Sequence, residues 1–135
     1  MTLELLPQKF SVCQIENPGQ ADLTAPFTFL SRTDEEISLV CESEKAPKDA
    51  LKREDGWRGL RIAGPLDFSL IGILAKIAGL LAAQKISIFA ISTYNTDYVL
   101  IKEAQLQNAL DALSRAGYAI TALSHSAYRS LLSSG

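Results

Sequence analysis

The stretch Ile86–Leu110, ISIFAISTYNTDYVLIKEAQLQNAL, decides the fold, because its hydrophobic period changes twice. Ile86 to Ile91 and Asp97 to Ile101 are β-branched and aromatic, so both read as strands. The polar run between them reads as a hairpin turn. From Lys102 or Glu103 the period becomes helical: Leu106, Ala109, Leu110 and Leu113 share one face, and Gly117 is a natural stop. Upstream, Leu70, Ile73, Leu74, Ile77, Leu80 and Leu81 recur at amphipathic-helix spacing. Trp57 to Leu66 reads as the strand before that helix, and Tyr118 to Leu123 as a last strand. The order strand, helix, strand, strand, helix, strand is that of a ferredoxin-like α+β fold, an antiparallel sheet covered by two helices on one face.

The first half has shorter pieces. Leu3–Leu6, Phe10–Ile15, Phe27–Thr33 and Ile37–Glu42 read as strands, broken at Asn17-Pro18-Gly19 and Thr33-Asp34-Glu35. Pro47 to Lys52 suits one or two helical turns, since Pro is tolerated at a helix start. Glu54-Asp55-Gly56 resets the chain. The expected division is an N-terminal half over 1–56, a C-terminal half over 57–128 and a frayed, serine-rich tail over 129–135.

With 135 residues, 47% of them hydrophobic and 21% charged, the chain can build one core or two small half-domains sharing one. The net charge of -2 mixes both signs, so no phosphate-binding surface is expected and nucleic acid is not an expected partner. The longest apolar run, Leu70 to Ala83, falls short of the roughly 20 residues of a membrane span. MTLELLPQKF lacks the basic start and apolar core of a secretory signal, which leaves a cytoplasmic address as the expectation. Cys13 and Cys41 sit in apolar, strand-like runs and read as buried thiols, with a disulfide or a reactive thiol as alternatives.

Catalytic signatures are missing. His125 is the one histidine, isolated between Ser124 and Ser126, and with two cysteines it makes no metal set. GxGxxG, GxxxxGK and GxSxG do not occur, so no enzyme and no cofactor are expected. An acid or base role for Asp97 or Tyr94 lacks a second catalytic partner. Binding chemistry is better represented. At Gly64–Gly72 a strand ends and a helix begins, with Ser69 or Asp67 able to cap it; free amides at such a start suit a carboxylate. The plainer reading is an ordinary cap, with Gly72 present for close packing. In the expected topology the hairpin turn faces this helix start. Thr93 and Thr96 offer hydroxyls, Asn95 an amide, Tyr94 a ring with a polar tip, and Asp97 a carboxylate for an ammonium. The alternative is that these residues serve only the turn.

The run LDFSLIGILAKIAGLLAAQKISIFAISTYNTDYVLIKEAQLQNAL, Leu66–Leu110, resembles the ACT domain of the small stand-alone type, related to aspartokinase regulatory domains and to cytosolic arginine sensors. The opening LELLPQKFSVCQIE and the junction GWRGLRIAGPLDFSL resemble the same family. The resemblance implies two ACT-like halves in tandem, the first with reduced helices, and amino-acid binding without catalysis. In the arginine sensors the ligand lies between two ACT units. By that resemblance Phe68, Ser69, Leu70, Ile71 and Gly72 form the helix side of a site and Thr93, Tyr94 and Asp97 the hairpin side; Asp67, Asn95 and Thr96, from the residues' own chemistry, complete the candidate ligand-binding set. An acidic residue near the start of the sensors' helix has apolar Leu70 as its apparent counterpart, which weighs against a guanidinium ligand. The expected partners are an amino acid or similar small zwitterion, a second copy of the chain and a protein that receives the signal. The competing expectation is a ligand-free assembly module pairing through its edge strands.

Overall fold

The computed structural model describes residues 1–63 and 72–123. The expectations placed on 64–71 and on 124–135, including His125 and the tail, lie outside the described residues. In chain order the elements are β1 (Thr2–Ile15), a 3-10 turn (Pro18–Gln20), β2 (Phe29–Arg32), β3 (Ile37–Glu42), a 3-10 turn (Ser43–Lys45), β4 (Lys52–Ile62), α1 (Ile73–Ala83), β5 (Ile88–Ser92), β6 (Asp97–Lys102), a 3-10 turn (Glu103–Gln105), α2 (Leu106–Arg115) and β7 (Ala119–Ala122). They form two compact units. One comprises Gln8–Trp57; the other comprises Met1–Pro7 with the chain from Arg58 onward. The first seven residues thus pack with the later unit, where a sequence division at 56 places them in the earlier one.

In the Gln8–Trp57 unit the strand order is β2–β3–β1–β4, with a 3-10 turn at each place where the ferredoxin-like plan has a helix. β3 pairs antiparallel with β1 from Phe10↔Glu42 to Ile15↔Ile37, and with β2 from Phe29↔Val40 to Arg32↔Ile37. Cys13, Ile15, Leu39, Cys41 and Ala46 form its core under the two 3-10 turns. Phe27 stands at φ 57, costly for a residue with a Cβ, and its ring meets Phe10 edge-on at 6.1 Å. Both cysteines are free and buried. Burial raises both thiol pKa values, that of Cys41 to about 11, with Cys13 beside it as the next contributor.

Two sequence expectations fail in this unit. Pro47–Lys52 makes a turn rather than a helix; the single helical turn sits earlier, at Ser43–Lys45. Glu54-Asp55-Gly56 is no break but part of β4. Its polar side chains are bonded: Asp55 accepts from the buried Ser11 hydroxyl and, at 2.7 Å, from Arg53, which also donates to the Ser43 carbonyl at 3.2 Å. Those bonds let a charged run sit at the start of a strand.

The second unit adds the start of β1 to the expected plan. β1 pairs parallel with β7 from Thr2↔Ala119 to Leu5↔Ala122. β4, β6 and β5 follow, with β5 and β6 joined from Ile88↔Ile101 to Ser92↔Asp97. The two stretches read as separate strands, Leu3–Leu6 and Phe10–Ile15, are therefore one. Pro7 can lie inside it because β7 ends at Leu5 and β3 begins at Phe10, so the missing N–H falls where β1 changes partner along that edge.

α1 and α2 bury Ile77, Leu81, Ala109 and Leu113 against Leu3, Leu60, Ile62, Val99 and Ile101. Each large aliphatic side chain buried there contributes about 1.5–3 kcal/mol. α2 turns Gln107 and Asp111 outward, bonded to each other at 2.9 Å, and ends before Gly117 at φ 98, as its spacing predicts. α1 starts at Ile73, later than expected. Its N-cap is Gly72 at φ 81, and not Ser69 or Asp67. On the face away from the helices, Arg61 donates to Glu4 at 3.0 Å. Burial works against the Arg61 charge, but hydrogen bonds to Glu4 and Tyr98 outweigh it and raise its pKa.

Iodoacetamide at pH 8 tests the buried thiols. With a pKa near 11 only about a thousandth of Cys41 is thiolate at that pH. Neither cysteine is labelled in the folded protein and both react in denaturant; rapid labelling of Cys41 under native conditions contradicts its placement. In the second core, Ile77→Ala costs about 2–5 kcal/mol of unfolding free energy, measured by denaturant titration.

Candidate functional site

The hairpin between β5 and β6 is closed by two threonines. The Thr93 amide and hydroxyl both donate to the Thr96 carbonyl, at 2.8 and 2.9 Å, and the Thr96 amide reaches back to the Thr93 hydroxyl at 3.4 Å. Thr96 is buried and donates its own hydroxyl to the Ile62 carbonyl at 2.7 Å. That bond ties the turn to the end of β4, from which the chain leaves for α1. The strand that lies beside β4 is β6, with β5 outside it, and not the Ile86–Ile91 strand that the expected topology puts there. The segment 64–71, which the turn is expected to face, lies outside the described residues.

An internal counterpart separates turn-making residues from the rest. Between β2 and β3, Thr33 makes the same closure: its amide donates to the Glu36 carbonyl at 2.9 Å and its hydroxyl accepts from Glu35 and Glu36. β3 and β6 share one burial pattern, and each runs into a 3-10 turn. Thr93 and Thr33 therefore hold the same kind of turn. Asp34 and Glu35 occupy in one hairpin the places of Tyr94 and Asn95 in the other. Tyr94 is 89% exposed and Asn95 is exposed, so neither is spent on holding the turn. Asp97 is half-buried at the first position of β6, opposite Ser92.

On the helix side, Asp67, Phe68, Ser69, Leu70 and Ile71 lie outside the described residues. Gly72 is described, and it presents no side chain to the first amides of α1. A hollow of about 300 Å³ opens beside it, lined by Gly72, Ile73, Lys76, Gly117 and Tyr118 among others. The hairpin residues do not line this hollow. Lys76 is the feature that sequence reasoning passed over. It is the one charge in α1, one helical turn from Gly72, and its position alone could have flagged it. Among the described residues there is no group of three or more His, Cys, Asp or Glu placed to hold a metal ion, and no helix is long and apolar enough to cross a membrane.

The ACT domain family profile matches residues 52–128 of this architecture, and the chain belongs to that family. The cytosolic arginine sensor for mTORC1 subunit 1 of Rattus norvegicus is 38% identical over 104 residues, which is 72% of this chain. The match spans 31% of that relative, so the chain covers about a third of the length of the sensors it resembles. Protein Atu0741 from Agobacterium tumefaciens has a similar solved structure, at 28% identity and a TM-score of 0.82, covering 92% of this chain and 94% of that one. The regulatory subunit of aspartate kinase from Thermus thermophilus shares the fold, at 14% identity and a TM-score of 0.61, covering 87% of this chain and 97% of that one.

Thr96→Val removes the donor to Ile62 while keeping the shape of the side chain. It costs about 1–3 kcal/mol of stability, because the buried carbonyl loses its partner. Chemical denaturation measures it, and a loss below about 0.5 kcal/mol contradicts the pinning role.

Proposed function

We propose that this chain is a non-catalytic ACT-type regulatory module of the cytoplasm that binds an amino acid or a similar small zwitterion. The observation that carries the reading is the start of α1: a helix whose cap residue has no side chain, next to a hollow that Lys76 lines, in a chain of the ACT family. The relative named as an arginine sensor supports the ligand class.

In this reading the backbone amides of Ser69–Gly72 and of the first turn of α1 take the carboxylate, because free amides and the positive end of the helix dipole favour an anion. Lys76 adds a charge on the same side. Asp97 takes the ammonium, and Tyr94, Leu70 and Ile71 meet the ligand's side chain. Asp67, Phe68, Asn95 and the two threonines shape the remaining wall. A ligand of about ten heavy atoms reaches micromolar affinity only if nearly all of its polar groups are met, so micromolar to millimolar affinity is expected. The signal passes through a second copy or a partner protein.

The second reading is assembly without ligand. β5 pairs only with β6 among the described strands and has an open edge through which a second copy could extend the sheet. The two readings separate by mutation. Asp97→Ala weakens amino-acid binding by roughly tenfold or more, since a charge-assisted hydrogen bond is worth about 1.5–3 kcal/mol. Titration calorimetry on wild type and variant measures the change, and an affinity within about twofold of wild type contradicts the ammonium role.

A further inference from the structure

The two hairpins close in the same way, using only main-chain atoms of the last turn residue. Thr33 bonds to the Glu36 carbonyl and amide, and Thr93 to the Thr96 carbonyl and amide. The side chain at that last place is not needed for the closure, and Glu36 leaves it exposed. Thr96 fills the same place but is buried, at 8% exposure, with its hydroxyl donated to the Ile62 carbonyl at 2.7 Å. That hydroxyl serves something other than the turn.

The sheet supplies the reason. β6 lies beside β4 and begins at Asp97, and Thr96 is the residue before it. The Thr96 amide is turned back to the Thr93 hydroxyl. The Thr96 hydroxyl supplies a donor to the last residue of β4 in place of that amide. The end of β4 is held from its other side as well, since the Ala63 amide donates to the Thr2 carbonyl at 3.1 Å. The hairpin therefore hangs on an anchored strand end by one side-chain bond, made directly before Asp97. Asp97 is half-buried and faces Ser92 in the last pair of β5 and β6.

We infer that Thr96 is a positioning residue: its hydroxyl fixes the hairpin against the end of β4, so that the Asp97 carboxylate is already in place when a zwitterion arrives. Given the reading of Asp97 as the ammonium partner, on which this rests, such preorganisation strengthens binding. Amide spectra of the 15N-labelled chain are recorded for wild type, Thr96→Val and Thr96→Ser, with glycine as the probe because it is the zwitterion without a side chain. Before glycine is added, the Thr93 and Thr96 amides exchange with solvent about tenfold faster in Thr96→Val than in wild type, and Thr96→Ser, which keeps the hydroxyl, restores them. The Gly117 and Tyr118 amides, bonded at the end of α2, stay unchanged in all three and report an intact fold. Glycine then binds wild type and Thr96→Ser alike, and Thr96→Val about tenfold more weakly. Equal amide exchange, or equal glycine affinity, in wild type and Thr96→Val overturns the positioning role. So does a Thr96 hydroxyl proton that exchanges in the wild type as fast as those of exposed threonines, an observation that needs no variant. If glycine leaves the Asp97 amide of the wild type unmoved, the ammonium reading fails, while exchange at Thr93 and Thr96 still decides whether the hydroxyl holds the hairpin.

Discussion

Two long strands carry the architecture. β1 and β4 each lend part of their length to one unit and part to the other, so their backbone bonding must be satisfied with partners that change along the way. β1 meets the constraint by taking β7 over Thr2–Leu5 and β3 over Phe10–Ile15, with Pro7 at the change of partner. β4 meets it by lying between β1 and β6 and, near its end, with the Thr96 hydroxyl on the Ile62 carbonyl. Hairpin position therefore follows from strand position, and the candidate site inherits both.

The units then diverge by what replaces a helix. α1 and α2 give the second unit an aliphatic core, with α1 entered at a glycine cap, whereas the Gln8–Trp57 unit has a smaller core and short turns, of which Pro18–Gln20 is capped by its own side chains. The difference in helical length is also an electrostatic one: a long helix has a dipole and free amides at its start, and a single turn has neither.

The parts legible in the sequence were those that a local period reports. The β5–β6 hairpin, both helices and the strand Ile37–Glu42 all follow from period and turn chemistry. What escaped was set by distant partners. Glu54-Asp55-Gly56 has the composition of a loop, yet it is strand, with the Asp55 carboxylate accepting from the Ser11 hydroxyl and from Arg53. The packing of residues 1–7 with the later unit depends on a parallel pairing with β7, at the far end of the described chain, which no local pattern announces. The start of α1 at Ile73 follows from the left-handed conformation of Gly72, visible in the sequence only as a glycine that could equally have served packing. Within the candidate site, the turn-closing role of Thr93 emerged from its counterpart Thr33, and Lys76 emerged from its place beside Gly72.

The most direct measurement is thermal unfolding of the purified chain with each of the twenty amino acids at high millimolar concentration. A ligand present at about 100 times its dissociation constant adds roughly 2.7 kcal/mol, which raises the midpoint by several degrees in a chain of this size. Stabilisation by one or a few amino acids, and not by the rest, is the predicted result. A panel with no selective shift contradicts amino-acid sensing and leaves assembly as the function of the fold.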